Sequence, residues 1–82
     1  MFIVIFGQNE CPYCIYAKIL AKKLVKEKKF SYKFIDIKKK KISKNDLSKT
    51  IGKIINTVPQ IFINKKYIGG FEDFKKYIKN NI

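Results

Sequence analysis

The most reactive side chains in this 82-residue sequence are two thiols, Cys11 and Cys14, in the segment Cys11-Pro12-Tyr13-Cys14. The sequence contains no His. That removes Ser-His and Cys-His catalytic pairs and imidazole metal sites, leaving Cys, Tyr, Lys and carboxylates for any chemistry. A structural zinc takes four ligands, of which two cysteines supply half, so no metal is expected. Two thiols spaced in this way, between a strand and a helix, read as a redox pair cycling between dithiol and disulfide. Position assigns their roles. Cys11 falls just before the helix, where unpaired N–H groups and the positive end of the dipole favour a thiolate. Pro12 suits the first helical turn, where its missing N–H costs nothing. Cys14 opens the buried stripe of that helix and is expected to be shielded. Cys11 is therefore read as the attacking sulfur and Cys14 as the resolving one. A readily ionised sulfur at Cys11 would also leave well when a second thiol attacks its disulfide partner.

A strand must deliver these sulfurs and a helix must hold them. Phe2 to Phe6, closed by Gly7, is a continuous apolar run and reads as a fully buried strand. From Pro12 to about Lys29, the apolar residues Cys14, Ala17, Leu20, Ala21, Leu24 and Val25 form one helical face. Lys18, Lys22, Lys23 and Lys26 lie mostly off it. Ser31 to Ile37 alternates as a second strand. Ser43 and Asp46 form a variant capping box ahead of a short helix carrying Leu47 and Ile51. That helix is expected to end near Gly52 or Lys53, with Ile54 and Ile55 packing beneath it. Gln60 to Asn64 is a third strand, Lys65-Lys66 a turn, and Tyr67-Ile68 a fourth strand. Gly69-Gly70 breaks the chain before a last helix, Glu72 to about Asn80, with Phe74, Tyr77 and Ile78 inward.

The order β-α-β-α-β-β-α implies a right-handed parallel crossover followed by an antiparallel hairpin. The expected fold class is α/β, a thioredoxin-like mixed four-stranded sheet with helices on its faces, as one domain over residues 1–82.

The formal net charge is +13, with 19 basic residues against 6 acidic. Lys, Ile and Asn make up nearly half of the chain. These are the residues that A/T-rich codons favour, so the bias reads as drift in base composition. A nucleic-acid-binding module built on the Lys excess is the rival reading. The absence of Arg, whose planar fork reads bases and phosphates, weighs against it. Lys38 to Lys41 reads as a solvated loop. The longest apolar run, Met1 to Phe6, is far short of the ~20 residues of a membrane span. No basic region precedes it, so a secretory signal is not expected either. The expected compartment is the cytoplasm, with no membrane and no nucleic acid as partner.

Three further segments, with the Cys-Pro-Tyr-Cys motif, carry a family resemblance. They are Ala17-Lys18, Thr57-Val58-Pro59-Gln60-Ile61-Phe62 and Ile68-Gly69-Gly70-Phe71-Glu72-Asp73. In order and spacing the chain resembles the glutaredoxins, in their short bacterial dithiol form that serves ribonucleotide reductase. The resemblance implies a monomeric thiol–disulfide oxidoreductase without a bound cofactor. Glutathione is the reducing co-substrate, regenerated by NADPH through glutathione reductase. The implied partners are ribonucleotide reductase and other disulfide-containing proteins. Tyr13, Thr57, Val58, Pro59, Gly70, Glu72 and Asp73 are implied to line the glutathione groove, with Pro59 as a cis-proline. Asp73 would both cap the last helix and accept the glutathione ammonium. Pro12 and Lys18 are implied supports of the Cys11 thiolate. Gln8 departs from the Lys or Arg that the family often carries there. A redoxin fed by thioredoxin reductase and an iron–sulfur carrier are the remaining alternatives; Pro12 argues against the latter by stiffening the loop.

Overall fold

A computed structural model describes residues 1–81; Ile82, the last residue of the expected domain, lies outside the described residues. The elements run β1 (Phe2–Gly7), α1 (Pro12–Lys28), β2 (Ser31–Asp36), α2 (Lys44–Ile51), β3 (Gln60–Ile63), β4 (Lys66–Gly69) and α3 (Phe71–Asn81). The sheet order is β2-β1-β3-β4. β1 pairs in parallel with β2 and antiparallel with β3, and β3 pairs antiparallel with β4. This is the expected mixed sheet.

The main core joins one face of the sheet to two helices. Ile3, Ile5, Ile61 and Ile63 meet Ala17, Ala21 and Leu24 of α1 and Phe74 of α3. Each fully buried aliphatic side chain in such a core is worth about 1.5–3 kcal/mol. A smaller cluster of Ile37, Leu47 and Ile55 lies elsewhere, with Phe6 and Val58 packed on it. β1 is consequently not buried on both faces. Ile3, Ile5 and Gly7 are buried, Val4 and Phe6 only partly, and Phe2 is exposed. The short α2 sends Leu47 fully and Ile51 partly into this cluster, which covers the second face near Phe6, while Phe2 stays exposed.

Strand ends shift by a residue or two from the sequence reading, and three differences have a visible physical reason. The hairpin turn falls on Asn64 and Lys65, at φ 51° and 70°, rather than on Lys65-Lys66. Successive positive φ values are those of a type I′ turn, and Asn tolerates that conformation better than Lys does. Asn64 is also held from its side chain, whose Oδ1 accepts the Phe2 N–H at 2.9 Å. Ile54 does not pack beneath α2 but is 85% exposed, whereas its neighbour Ile55 is buried. The Ser48 hydroxyl accepts the Ile55 N–H at 2.9 Å and fixes which of the two turns inward. Finally, α3 starts at Phe71, one residue early. Asp73 accepts the Gly70 N–H at 3.2 Å, so the cap sits at Gly70.

Candidate functional site

Cys11 is the N-cap of α1, in extended conformation, and its Sγ accepts the N–H of Cys14 at 3.3 Å. The same sulfur donates to the Val58 carbonyl at 3.5 Å, which joins the redox pair to the segment before β3. Cys14, one turn into α1, has no exposed surface. Its Sγ accepts the backbone N–H of Gln8 at 3.4 Å. Both thiols are free. Burial, and then the hydrogen bond to Cys11, push the Cys14 thiol from 9.0 up to about 12. A sulfur in that setting keeps its proton at neutral pH.

Space for Cys14 comes from Gly7. A Cβ there would stand 2.7 Å from the Cys14 sulfur and 3.0 Å from the Phe34 ring. Glycine at the end of β1 is thus required by close approach, not by backbone conformation.

Beside the sulfurs runs an open groove of about 310 Å³, lined by Tyr13, Thr57, Val58, Pro59, Gly70, Phe71, Glu72 and Asp73. All seven residues that the resemblance placed in a groove are together here. The Val58–Pro59 bond is cis. Gly69, at φ 128°, has room for no side chain, because an added Cβ would collide with the Asp73 carboxylate. The Lys18 ammonium rests 4.4 Å from the centre of the Phe34 ring, a cation–π contact, rather than in a contact with Cys11.

Sequence reasoning left out three contributors. Phe71 is not among the groove residues that the resemblance implies, yet it lines the groove and stacks near Tyr13, with ring centres 6.1 Å apart. Gln8 acts through its backbone N–H, which no side-chain comparison could find. Gln60 is 95% buried, donates to the Thr57 carbonyl at 2.9 Å, and accepts the Tyr67 hydroxyl through its other amide atom. Burial, with a further contribution from Asp73, raises the Tyr67 hydroxyl above its ordinary pKa. A polar residue opening an otherwise apolar strand was the signal for Gln60.

A capping thiol above a buried one, on this sheet topology, is the working arrangement of the thioredoxin-fold thiol–disulfide oxidoreductases, and the molecule is an enzyme of that class. Comparison with known proteins narrows the class. The glutaredoxin family model matches residues 3–68, and the chain belongs to the glutaredoxin family. It is 54% identical to glutaredoxin 1 of Salmonella typhimurium, over 100% of this chain and 95% of the relative. To glutaredoxin 1 of Escherichia coli it is 47% identical, over 100% and 98%. The solution structure of reduced E. coli glutaredoxin superposes with a TM-score of 0.87 at 46% identity, covering 99% of this chain and 96% of that one. A buckwheat glutaredoxin in complex with glutathione superposes with a TM-score of 0.75 at 27% identity, covering 95% and 68%. Among the described residues no helix is long and apolar enough to cross a membrane.

Proposed function

We propose that this glutaredoxin reduces protein disulfides and glutathione mixed disulfides at the expense of glutathione, and that ribonucleotide reductase is among its protein substrates. Cys11 thiolate attacks a substrate disulfide, forming a Cys11 mixed disulfide and releasing the first substrate thiolate. That thiolate takes the Cys14 proton. Cys14 then attacks Cys11 Sγ, expelling the second substrate thiolate and leaving the Cys11–Cys14 disulfide. The substrate gains two electrons and the protein loses two. One glutathione attacks the protein disulfide at Cys11. A second attacks that glutathione's sulfur, giving glutathione disulfide and restoring the dithiol. NADPH, through glutathione reductase, returns the electrons. For a glutathionylated substrate, Cys11 alone suffices.

The order of events has a physical basis. Part of what holds the proton on Cys14 is its hydrogen bond and charge relation with Cys11. Once Cys11 is in a mixed disulfide, that part disappears and Cys14 ionises more readily. The resolving thiol is therefore quiet until a substrate has been captured.

The observation that carries this reading is the 3.5 Å contact between Cys11 Sγ and the Val58 carbonyl, since Val58 also lines the groove. A tripeptide thiol lying against Tyr13, Thr57, Val58 and Pro59, with its ammonium at Glu72 and Asp73, would bring its sulfur to Cys11. The protein would work as a monomer, one unit over residues 1–82, in the cytoplasm, with no metal, nucleic acid or membrane in its cycle. Pro12 would pre-set the first turn for the Cys11 thiolate, and Lys18 would add to the positive field around it.

The test is a coupled assay with a small glutathione mixed disulfide, glutathione, glutathione reductase and NADPH. Wild type should consume NADPH, Cys11→Ser should not, and Cys14→Ser should retain turnover on this substrate while losing protein-disulfide reduction. A wild type inactive here but reduced by thioredoxin reductase would refute glutathione dependence.

A further inference from the structure

A second trough lies between α1 and α3, outside the residues assigned to glutathione. It has a volume of about 350 Å³ and is lined by Tyr16, Ile19, Leu20, Lys23, Phe71 and Lys75. Tyr16 and Ile19 are 49% and 59% exposed, large apolar side chains with no cover of their own. Phe71 lines both this trough and the redox groove, so the two depressions meet at one ring. The Tyr16 ring also lies within 5.9 Å of Phe71 and 5.7 Å of Tyr13, centre to centre, which makes a continuous aromatic floor from the groove into the trough.

The charged residues of the trough are both lysines. Lys75 stands 5.4 Å from the Phe71 ring centre and makes an exposed contact of 3.7 Å with Glu72, a pairing that solvent largely screens. Contiguous exposed apolar surface with a polar rim marks an interaction site. Here the rim is cationic and the whole chain carries +13.

We propose that this trough docks an acidic segment bearing an apolar side chain, belonging to the same protein substrate whose disulfide Cys11 attacks. The proposal rests on the reading of Cys11 as nucleophile and adds where the polypeptide beside the substrate cysteine goes. Continuity through Phe71 lets one extended segment occupy the groove and the trough together. The lysines select its charge and speed its arrival, while the Ile19 and Tyr16 surface supplies the anchor. In the reading above glutathione is held by the groove, so a trough that takes the polypeptide beyond it would separate protein substrates from small ones.

The test uses two synthetic peptides with the same intramolecular disulfide. One is extended on both sides by Asp-Phe-Glu-Leu and the other by Ser-Gly-Ser-Gly. Each is reduced in a single turnover by the pre-reduced protein, which needs no glutathione. Partial burial of one apolar anchor predicts about tenfold faster reduction of the acidic peptide, with the advantage shrinking as salt is added. Ile19→Asp combined with Lys23→Glu, both at exposed positions, should abolish the advantage and leave the rate on the neutral peptide unchanged, with thermal unfolding confirming the fold. Equal rates on the two peptides in wild type, or an advantage that survives in the double variant, would overturn the docking surface while leaving the redox reading intact. Reduction of neither peptide would overturn both. Equal rates together with variant-sensitive binding to phosphatidylglycerol vesicles would overturn it too, and reassign the surface to a membrane.

Discussion

Replacing Gly7 by Ala should unseat the resolving sulfur, and the structure gives the size of the effect. The new Cβ would stand 2.7 Å from Cys14 Sγ, 3.0 Å from Phe34 Cε1 and 3.1 Å from Cys14 Cβ, all in a buried place. Overpacking of this kind costs about 1–3 kcal/mol. Opposing it, Ala restricts the unfolded chain more than Gly does, a gain of about 0.4–1 kcal/mol where the native backbone is ordinary. The clash wins, and a net loss of about 1–2 kcal/mol should lower the melting temperature of the reduced protein by about 4–16 °C. The nearest clashing atom is one sulfur, so the loss should depend on that sulfur. In a Cys14→Ala background, Gly7→Ala should cost about 1 kcal/mol less, a coupling that a double-mutant cycle reads directly. Circular dichroism melts of the four reduced proteins supply the cycle. In the wild-type background, protein-disulfide reduction should fall more than turnover of a glutathione mixed disulfide, which does not use Cys14. Equal costs in the two backgrounds would refute the idea that Gly7 exists to seat Cys14.

Gln60→Leu should raise KM for glutathione several-fold while kcat changes less, because the Thr57 carbonyl and the Tyr67 hydroxyl lose their shared partner; steady-state kinetics in glutathione checks it. Cys14 keeps its proton to about pH 12 when folded, against an ordinary 9.0. The corresponding stability is fully present below about pH 9 and is lost between about 9 and 12, where only the unfolded chain ionises, at up to about 1.4 kcal/mol per pH unit. Urea unfolding of the reduced protein against pH should show that extra slope, and Cys14→Ala should remove it. Ser43→Ala should cost about 1 kcal/mol, since the Ser43 hydroxyl accepts the Asp46 N–H at 3.0 Å and Asp46 reciprocates on the Ser43 N–H; thermal unfolding reads it. Gly69→Ala should destabilise by more than 1 kcal/mol, through its positive φ and the displacement of Asp73 from its cap on Gly70.

The element order was legible because each segment's periodicity agreed with its punctuation. Pro12 opens α1, the Ser43–Asp46 box opens α2, and Gly69-Gly70 ends β4 and leads into α3. What sequence could not fix were choices between equivalent neighbours. Ile54 and Ile55 are the same residue type, and a hydroxyl from α2 decides which is buried. Lys65-Lys66 looked like the turn because two charged residues interrupt the apolar run, yet positive φ at the first turn position falls to Asn64. The redox pair was readable from spacing and helix position alone. The groove was not, since its walls come from three separated segments, and only a family resemblance could gather them. Even the resemblance omitted Phe71, which the fold places against the groove beside Tyr13.

The Lys38 to Lys41 run follows β2, and its turn is secured by Asp36. One carboxylate oxygen of Asp36 accepts the N–H groups of Lys38 and Lys39, and the other accepts the Asn9 side-chain amide, which ties the turn to the loop ahead of Cys11. The turn is held by its amides, and its side chains contribute little beyond one exposed contact from Lys38 to Glu10. In evolutionary terms this decouples identity from geometry. Any residue with an N–H and no large apolar body satisfies Asp36 equally well at positions 38 and 39. Such a turn is a sink for mutational bias: codon drift can fill it with lysine while the sulfurs a few residues away keep their frame.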